Sequence, residues 1–192
     1  MKNWKLKEIV VLSVLSVVFA VVYLAFLPVG KLLSGLFGPI GYDFIFGIWF
    51  IVSIIAAYIL RRPGAAFLSE TIAATIEVLL GNASGPILIL TGMVQGLGAE
   101  SAFALTRYRS YHLSVLMLAG VMAAVFSFAW GYFQSGYAAL SGGYVAAMLI
   151  VRMVSGAVIS GVFGKAIADG LARTGVLSSF ALGRELRKKR AS

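Results

Sequence analysis

The sequence has no cysteine and a single histidine among its 192 residues. That excludes disulfides, thiolate metal sites and a cysteine nucleophile, and His112 alone makes no histidine cluster for a metal. Charge is scarce too: charged side chains are 12% of the chain, with seven Asp and Glu against sixteen Lys and Arg. What fills the chain is apolar, 60% of residues with a mean hydropathy of +0.97. A soluble domain of this length cannot bury so much, so lipid must cover the remainder. The formal charge of +9 would suit nucleic acid only on the face of a polar domain, and here the cations sit in short clusters between apolar runs.

Apolar runs occupy 9–27, 42–60, 64–81, 86–106, 113–133 and 144–170, each near or above the roughly 20 residues that cross about 30 Å of hydrocarbon. None alternates with a period of two, so six helices are predicted rather than a β-barrel. The separators carry turn chemistry: Leu27-Pro28-Val29-Gly30, Gly38-Pro39-Ile40-Gly41, Arg61-Arg62-Pro63-Gly64, Gly81-Asn82-Ala83-Ser84-Gly85-Pro86 and Ser141-Gly142-Gly143.

Lys2, Lys5 and Lys7 precede the first run, Arg61 and Arg62 follow the second, Arg107 and Arg109 follow the fourth, and Arg173, Arg184, Arg187, Lys188, Lys189 and Arg190 follow the sixth. The alternate loops hold only Lys31. The positive-inside rule then puts both termini in the cytoplasm, and the unbroken alternation favours six spans over five or seven. The first run starts like a signal peptide but is long, lacks a small-x-small cleavage pattern and is followed by further spans. The expectation is an all-α, multi-pass membrane protein, with residues 1–170 as one six-helix domain and 171–192 as a basic cytoplasmic tail.

No ATPase is expected in this chain, since the closest string to a phosphate-binding loop, Gly161-Val162-Phe163-Gly164-Lys165-Ala166, lacks the first glycine and the hydroxyl. Nor is an enzyme expected, because an intramembrane serine protease needs a membrane-embedded histidine base and His112 falls at the cytoplasmic end of the fifth span. No cofactor is implied.

Ionisable residues inside apolar runs are costly and usually face a bundle interior, a partner or a ligand. They are Asp43, Glu70, Glu77, Glu100 and Arg152, with Lys165 and Asp169 near an end. Asp43 opens the second span on the outside, Glu77 lies ~6 Å from the outer end of the third, and Arg152 lies ~12 Å into the sixth. Glu70 and Glu100 lie roughly 10 Å from the cytoplasmic side. Seven residues separate Glu70 from Glu77, so they share one stripe of a helix with Ala73 and Ala74 between them. Two readings stand: carboxylates bonded to neighbouring helices, one of them paired with Arg152, or an outer carboxylate holding a cationic or hydrogen-bond-donating ligand.

Aromatic residues bear on the second reading. Tyr42, Phe46 and Trp49 share a stripe, and Phe126, Trp130 and Phe133, with Tyr137 beyond, recur at similar spacing at the same level. They could sandwich a flat ligand, with a cation over tryptophan gaining about 1–2 kcal/mol when desolvated. They could equally form the interfacial aromatic belt. Small residues mark Ser13, Ser16 and Ala20, then Gly92 and Gly96, then Gly156, Ser160 and Gly164, and allow close packing within the bundle or against another subunit.

Six spans, both ends inside, a Pro/Gly-rich first outer loop and a small-residue face on the first span resemble the substrate-binding S component of an energy-coupling factor (ECF) vitamin transporter. The string from Arg61-Arg62-Pro63-Gly64-Ala65-Ala66-Phe67 to Glu70-Thr71-Ile72-Ala73-Ala74-Thr75-Ile76-Glu77, then Gly81-Asn82, Gln95-Gly96 and Glu100, resembles the YkoE-type S components associated with thiamine or its hydroxymethylpyrimidine precursor. The resemblance spans essentially the whole chain. It implies capture of the vitamin from outside and delivery through a transmembrane T component and two cytoplasmic ABC ATPase subunits. It points to Glu77, Trp49 and Trp130 as ligand contacts and to Ser13, Ser16 and Ala20 as the T-component contact, although serines stand where such binders often use alanines.

Thiamine suits these residues chemically, being a cationic thiazolium joined to an aminopyrimidine that stacks and donates hydrogen bonds to a carboxylate. Depth and polarity alone add Asp43, Tyr42, Asn82, Ser84, Gln95, Tyr137 and Arg152 as candidate binding residues. Arg152 is a poor partner for a cation and better suited to neutralising an acid or meeting a phosphate. The competing class is a stand-alone transporter coupled to protons through Glu70 and Glu100, against which stands the lack of an inverted repeat or of matching broken helices.

Overall fold

The computed structural model describes residues 4–191, with the backbone alone for 189–191. Lys2 and the side chains of Lys189 and Arg190, used above for orientation, lie outside the described residues. Apolar segments without alternation close their backbone hydrogen bonds internally, as lipid requires, and the described chain is helical nearly throughout. Helix α1 is Leu6–Phe37, α2 is Ile40–Asp43, a 3-10 turn spans Phe46–Phe50, and α3 is Ile51–Leu60. Helices α4 (Ala65–Leu79), α5 (Ile87–Leu105) and α6 (Leu113–Gln134) follow. After a short turn at Tyr137–Ala139, α7 (Gly142–Ser155) runs through a π-helical stretch, Gly156–Phe163, into α8 (Gly164–Arg173), and α9 is Ala181–Ala191.

Four stretches are long and apolar enough to cross a membrane: Leu6–Phe37, Ile87–Leu105, Leu113–Gln134 and Gly142–Arg173, while Phe46–Leu60 is apolar but shorter. All ten residues of α3 are buried, which is why Ile51–Leu60 carries no polar face: the other helices surround it. Helix α5 packs between α4 and α6. The glycine stripes serve these contacts, for a Cβ on Gly92 would stand 2.5 Å from that of Ala74, and one on Gly96 would stand 2.9 Å from the Phe67 Cα. Close packing inside the bundle accounts for the stripe of Gly92 and Gly96 and for that of Gly156 and Gly164, where an added Cβ would stand 2.5 Å from the Gly120 carbonyl oxygen and 3.3 Å from Ile51 Cγ1, respectively.

Two expectations are corrected. Pro28 and Gly30 do not end the first helix; α1 continues to Phe37 with Pro28 inside it, so Lys31 is helical rather than in a loop. Local turn chemistry yields because Gly30 and Gly41 let the chain fold back closely: a Cβ on Gly30 would lie 2.5 Å from the Tyr42 ring, and one on Gly41 2.1 Å from the Leu33 carbonyl oxygen. The run 42–60, read as one span, is broken between α2 and α3. Its irregular backbone is held from the π-helical side, where the Gly47 N–H donates to Ser155 Oγ at 3.0 Å and Ser160 Oγ donates to the Gly47 carbonyl at 2.7 Å. Non-helical backbone at membrane depth needs such partners or a cavity to line, and here it has both.

One end of the bundle gathers the basic loops. Arg62 meets Glu8 through Nε at 3.1 Å and Nη2 at 3.0 Å, Arg61 meets Glu185 of α9 at 2.5 Å, and Lys7 Nζ donates to the Ser179 carbonyl at 3.2 Å. Glu100 of α5 closes the N-terminus of α4 there, accepting from Gly64 N at 2.6 Å, Ala66 N at 2.9 Å and Phe67 N at 3.2 Å. It satisfies donors that a helix start leaves free. Leu177, Phe180 and Leu182, after Arg173, are buried against the bundle.

Candidate functional site

At the end remote from that cluster lies a cavity of about 240 Å³ between α1, the broken stretch after α2, α4, α5 and α6. An adjoining hollow of about 290 Å³ shares Tyr42, Phe46, Thr91, Gln134 and Ser135 with it. Their wall is aromatic. Tyr42 and Trp49 stack with centroids 4.7 Å apart and planes at 19°, and Phe46 lies 5.9 Å from each. Trp49 is 7% exposed, and its indole nitrogen is buried without a hydrogen-bond partner among the described residues.

Across the cavity, α4 presents Glu70, Ala74 and Glu77, one helical stripe at spacings of four and three. Glu77 accepts from Asn82 Nδ2 at 3.0 Å, and Asn82 Oδ1 accepts from Ser84 N at 3.0 Å, so the loop after α4 fixes the amide beside the carboxylate. Glu70, almost wholly buried, sits deeper. Its Oε2 accepts from Tyr23 OH at 3.3 Å and Ser53 Oγ at 3.2 Å, while Tyr23 OH accepts from Val52 N at 3.1 Å. Polar groups also line α5 and α6: Gln95 Nε2 donates to Ser127 Oγ at 3.1 Å, and Trp130 Nε1 to Thr91 Oγ1 at 2.9 Å.

Of the residues singled out by sequence, Glu77, Trp49, Tyr42, Asn82, Ser84 and Gln95 line the main cavity, and Trp130, Tyr137 and Arg152 line the adjoining hollow together with Tyr42. Asp43 lines neither. It lies behind the wall, fully buried, accepting from Arg152 Nε at 2.6 Å. The partner of Arg152 is thus Asp43 and not a glutamate of α4, because α2 folds back beside α7. The aromatic stripe of α6 divides as well: Phe126 and Phe133 border a separate outer groove, with Phe133 84% exposed. Trp130, between them, touches both sides.

Of the small face of α1 expected to meet a T component, two of the three residues pack inside the bundle. Ser16 and Ala20 are 0% exposed; the Ser16 hydroxyl shares its one proton between the Leu12 and Ser69 carbonyls, both 2.9 Å from Oγ, so this small face lets α1 approach α4. Ser13 is half-buried, and the open face carries Val10, Val14, Val17, Val18 and Val21. Glu70, Thr91, Ser127, Gln134 and Ser135 were missed as lining residues. The spacing of Thr91 and Gln95, and of Ser127, Trp130 and Gln134, puts polar groups on single stripes of apolar helices, and that signal would have found them. Glu100, a candidate proton carrier, instead engages three backbone amides.

An acidic, aromatic, amide-lined chamber inside a helical membrane bundle has the build expected of a transporter's substrate-binding subunit. Comparison with known proteins places the chain among them. Residues 7–126 match the family model described as ABC-type cobalt transport system, permease component. A crystal structure of an S-component of ECF transporter matches with a TM-score of 0.96 at 59% identity, covering 98% of this chain and 96% of that one. YkoE of Bacillus subtilis (strain 168), named as an HMP/thiamine permease protein, is 60% identical over 190 residues, 99% of this chain and 96% of that protein. The chain belongs to the S components of ECF transporters, of the YkoE type.

Proposed function

We propose that this chain is the high-affinity binding subunit of an ECF-type importer, capturing thiamine or hydroxymethylpyrimidine from outside the cell and passing it inward together with a T component and two ABC ATPase subunits. One observation carries the reading: the Glu77 carboxylate, oriented by Asn82, faces a stacked Tyr42–Trp49 wall across a single cavity. A carboxylate accepts the amino hydrogens of an aminopyrimidine in charge-assisted bonds, and indole and phenol faces take flat or cationic rings. The name of the YkoE relative supports the same ligands. Cobalt, in the family description, suits the site less well, for among the described residues no group of three or more His, Asp or Glu is placed to hold a metal ion.

The chain crosses the bilayer six times in this proposal, with 46–60 and 65–79 as the two short spans, both termini inside and the cavity in the outer half. The gathering of Glu8, Arg61, Arg62 and Glu185 at one end supports an even number of crossings, and the basic residues there support a cytoplasmic end. Residues 1–170 then form the binding domain and 171–192 the cytoplasmic tail.

The test is calorimetry of the detergent-purified protein with thiamine and with hydroxymethylpyrimidine, wild type beside Glu77→Gln and Trp49→Ala. Tight binding of either compound, lost in both variants, is the expected result. Absence of binding to both compounds by folded wild type sinks the ligand assignment. Uptake into vesicles only when T and ATPase subunits and ATP are supplied is expected; uptake by the chain alone would overturn the importer reading.

A further inference from the structure

We propose that the buried Arg152–Asp43 pair is a positioning device that holds the cavity's aromatic wall, and that Arg152 does not recognise the ligand's charge. The identity of the ligand rests on the function proposed above; the role of the pair does not.

The wall needs an external support. Tyr42, Phe46 and Trp49 do not sit on one continuous helix: α2 ends at Asp43, and the 3-10 turn begins at Phe46. Without an unbroken ladder of backbone bonds across this junction, the rings depend on side chains from elsewhere. Arg152 of α7 supplies them. Its Nε donates to Asp43 Oδ1 at 2.6 Å, its Nη2 donates to Tyr137 OH at 3.1 Å, and its guanidinium carbon lies 3.7 Å from the centroid of Phe46. Phe128 lies on a further side at 5.0 Å. One planar fork therefore fixes the residue before the break, the ring after it and a ring of the turn that follows α6. Only arginine has the edges and the face to do this at once.

Burial and charge point the same way. Arg152 is 2% and Asp43 0% exposed, so the cation is paired within the protein interior, and the second oxygen of Asp43 has no hydrogen-bond partner among the described residues. An arginine spent in this way has little charge to offer a phosphate and little with which to repel a thiazolium. The same α7 and π-helical stretch also holds Gly47 through Ser155 and Ser160, so the wall is fixed to one segment on both sides of Phe46.

The experiment compares Arg152→Lys, which keeps charge but loses the fork, with Asp43→Asn/Arg152→Gln, which leaves no unpaired charge if the lysine variant folds poorly. Acrylamide quenching is measured without ligand in a Trp4→Phe/Trp130→Phe background, where Trp49 alone emits. Affinities for cationic thiamine and neutral hydroxymethylpyrimidine are measured in the otherwise native chain. A wall released by an ångström or so should raise Trp49 quenching by about twofold and weaken both compounds by a common factor, on the order of tenfold or more. Unchanged quenching overturns the proposal. So does a change confined to thiamine, which would show Arg152 acting on the ligand's charge. Were wild type to bind neither compound, the functional reading would fail while the quenching comparison still decided the role of the pair.

Discussion

Glu70 and Glu77 stand two turns apart on one face of α4 and line one cavity, yet their partners differ in kind. Glu77 is met by a single amide from the adjoining loop. Glu70 is held by Tyr23 of α1 and Ser53 of α3, two elements of the core. The upper carboxylate is free to answer a ligand, while the lower one ties three helices together.

Glu77→Gln should therefore cost affinity and little stability. Losing a charge-assisted hydrogen bond to the ligand is worth about 1.5–3 kcal/mol, roughly ten- to a hundredfold in Kd. Calorimetry would read the loss, and thermal unfolding in detergent should shift by only a degree or two, since the glutamine can still accept from Asn82.

Glu70→Ala should do the reverse in part. It strips the Tyr23 hydroxyl of its acceptor, at about 1–3 kcal/mol for a buried group left unsatisfied, leaves Ser53 only the Phe50 carbonyl, and opens space at the cavity floor. A fall in the unfolding temperature of several degrees is expected, with Glu70→Gln recovering much of it. Equal melting of wild type and the alanine variant would show that the Tyr23–Glu70–Ser53 network contributes nothing.

What the sequence made legible follows from what lipid punishes. Glu77, Trp49 and Gln95 stand out as polar or amphipathic groups in apolar runs, and all three line the cavity. Glu70 is set apart from them when depth is counted along its own helix, whereas the cavity descends the stripe it shares with Glu77. The Arg152–Asp43 pair joins residues 109 apart; periodicity says nothing about which acid an arginine finds. The extent of α1 was hidden for a related reason, since Pro28 and Gly30 read as a turn until Gly30 is seen to admit the Tyr42 ring.

Glycine packing makes a sharper prediction. A Cβ on Gly120 would fall 2.1 Å from the Gly156 carbonyl oxygen, and one on Gly156 would fall 2.5 Å from that of Gly120. Backbone meets backbone there, so nothing flexible can yield. Gly120→Ala should cost at least about 1–3 kcal/mol, the usual range for overpacking a closed contact. Gly142→Ala, where a Cβ meets nothing within 4 Å, is the control, and size-exclusion profiles with thermal unfolding would separate the two.

Glu100→Ala should destabilise the basic end while sparing the ligand. Its carboxylate receives three amides at the start of α4, a capping role worth about 1–2 kcal/mol. The cavity lies at the other end of that helix, so ligand Kd should stay within about twofold, well inside the tenfold that 1.4 kcal/mol would bring. A proton carrier would behave differently: its loss would abolish proton-dependent uptake with normal melting.

Whether α1 meets another subunit, and by which face, can be decided by substitution on opposite sides of the helix. Ser16 and Ala20 are enclosed, with Ser16 reaching the Ser69 carbonyl of α4, while Val14 and Val18 are half exposed at 56% and 51%. Ala20→Leu forces a larger side chain into the α1–α4 contact and should cost about 1–3 kcal/mol of stability in the isolated chain. Val14→Ala and Val18→Ala should leave the isolated chain within about 0.5 kcal/mol, as exposed substitutions do. If the valine ridge is where the T component docks, the same two variants should weaken co-purification with the T and ATPase subunits. Normal co-purification would move the contact off the exposed side of α1, and a normal melting temperature for Ala20→Leu would show the small face to be looser than the buried Ser16–Ser69 bond implies.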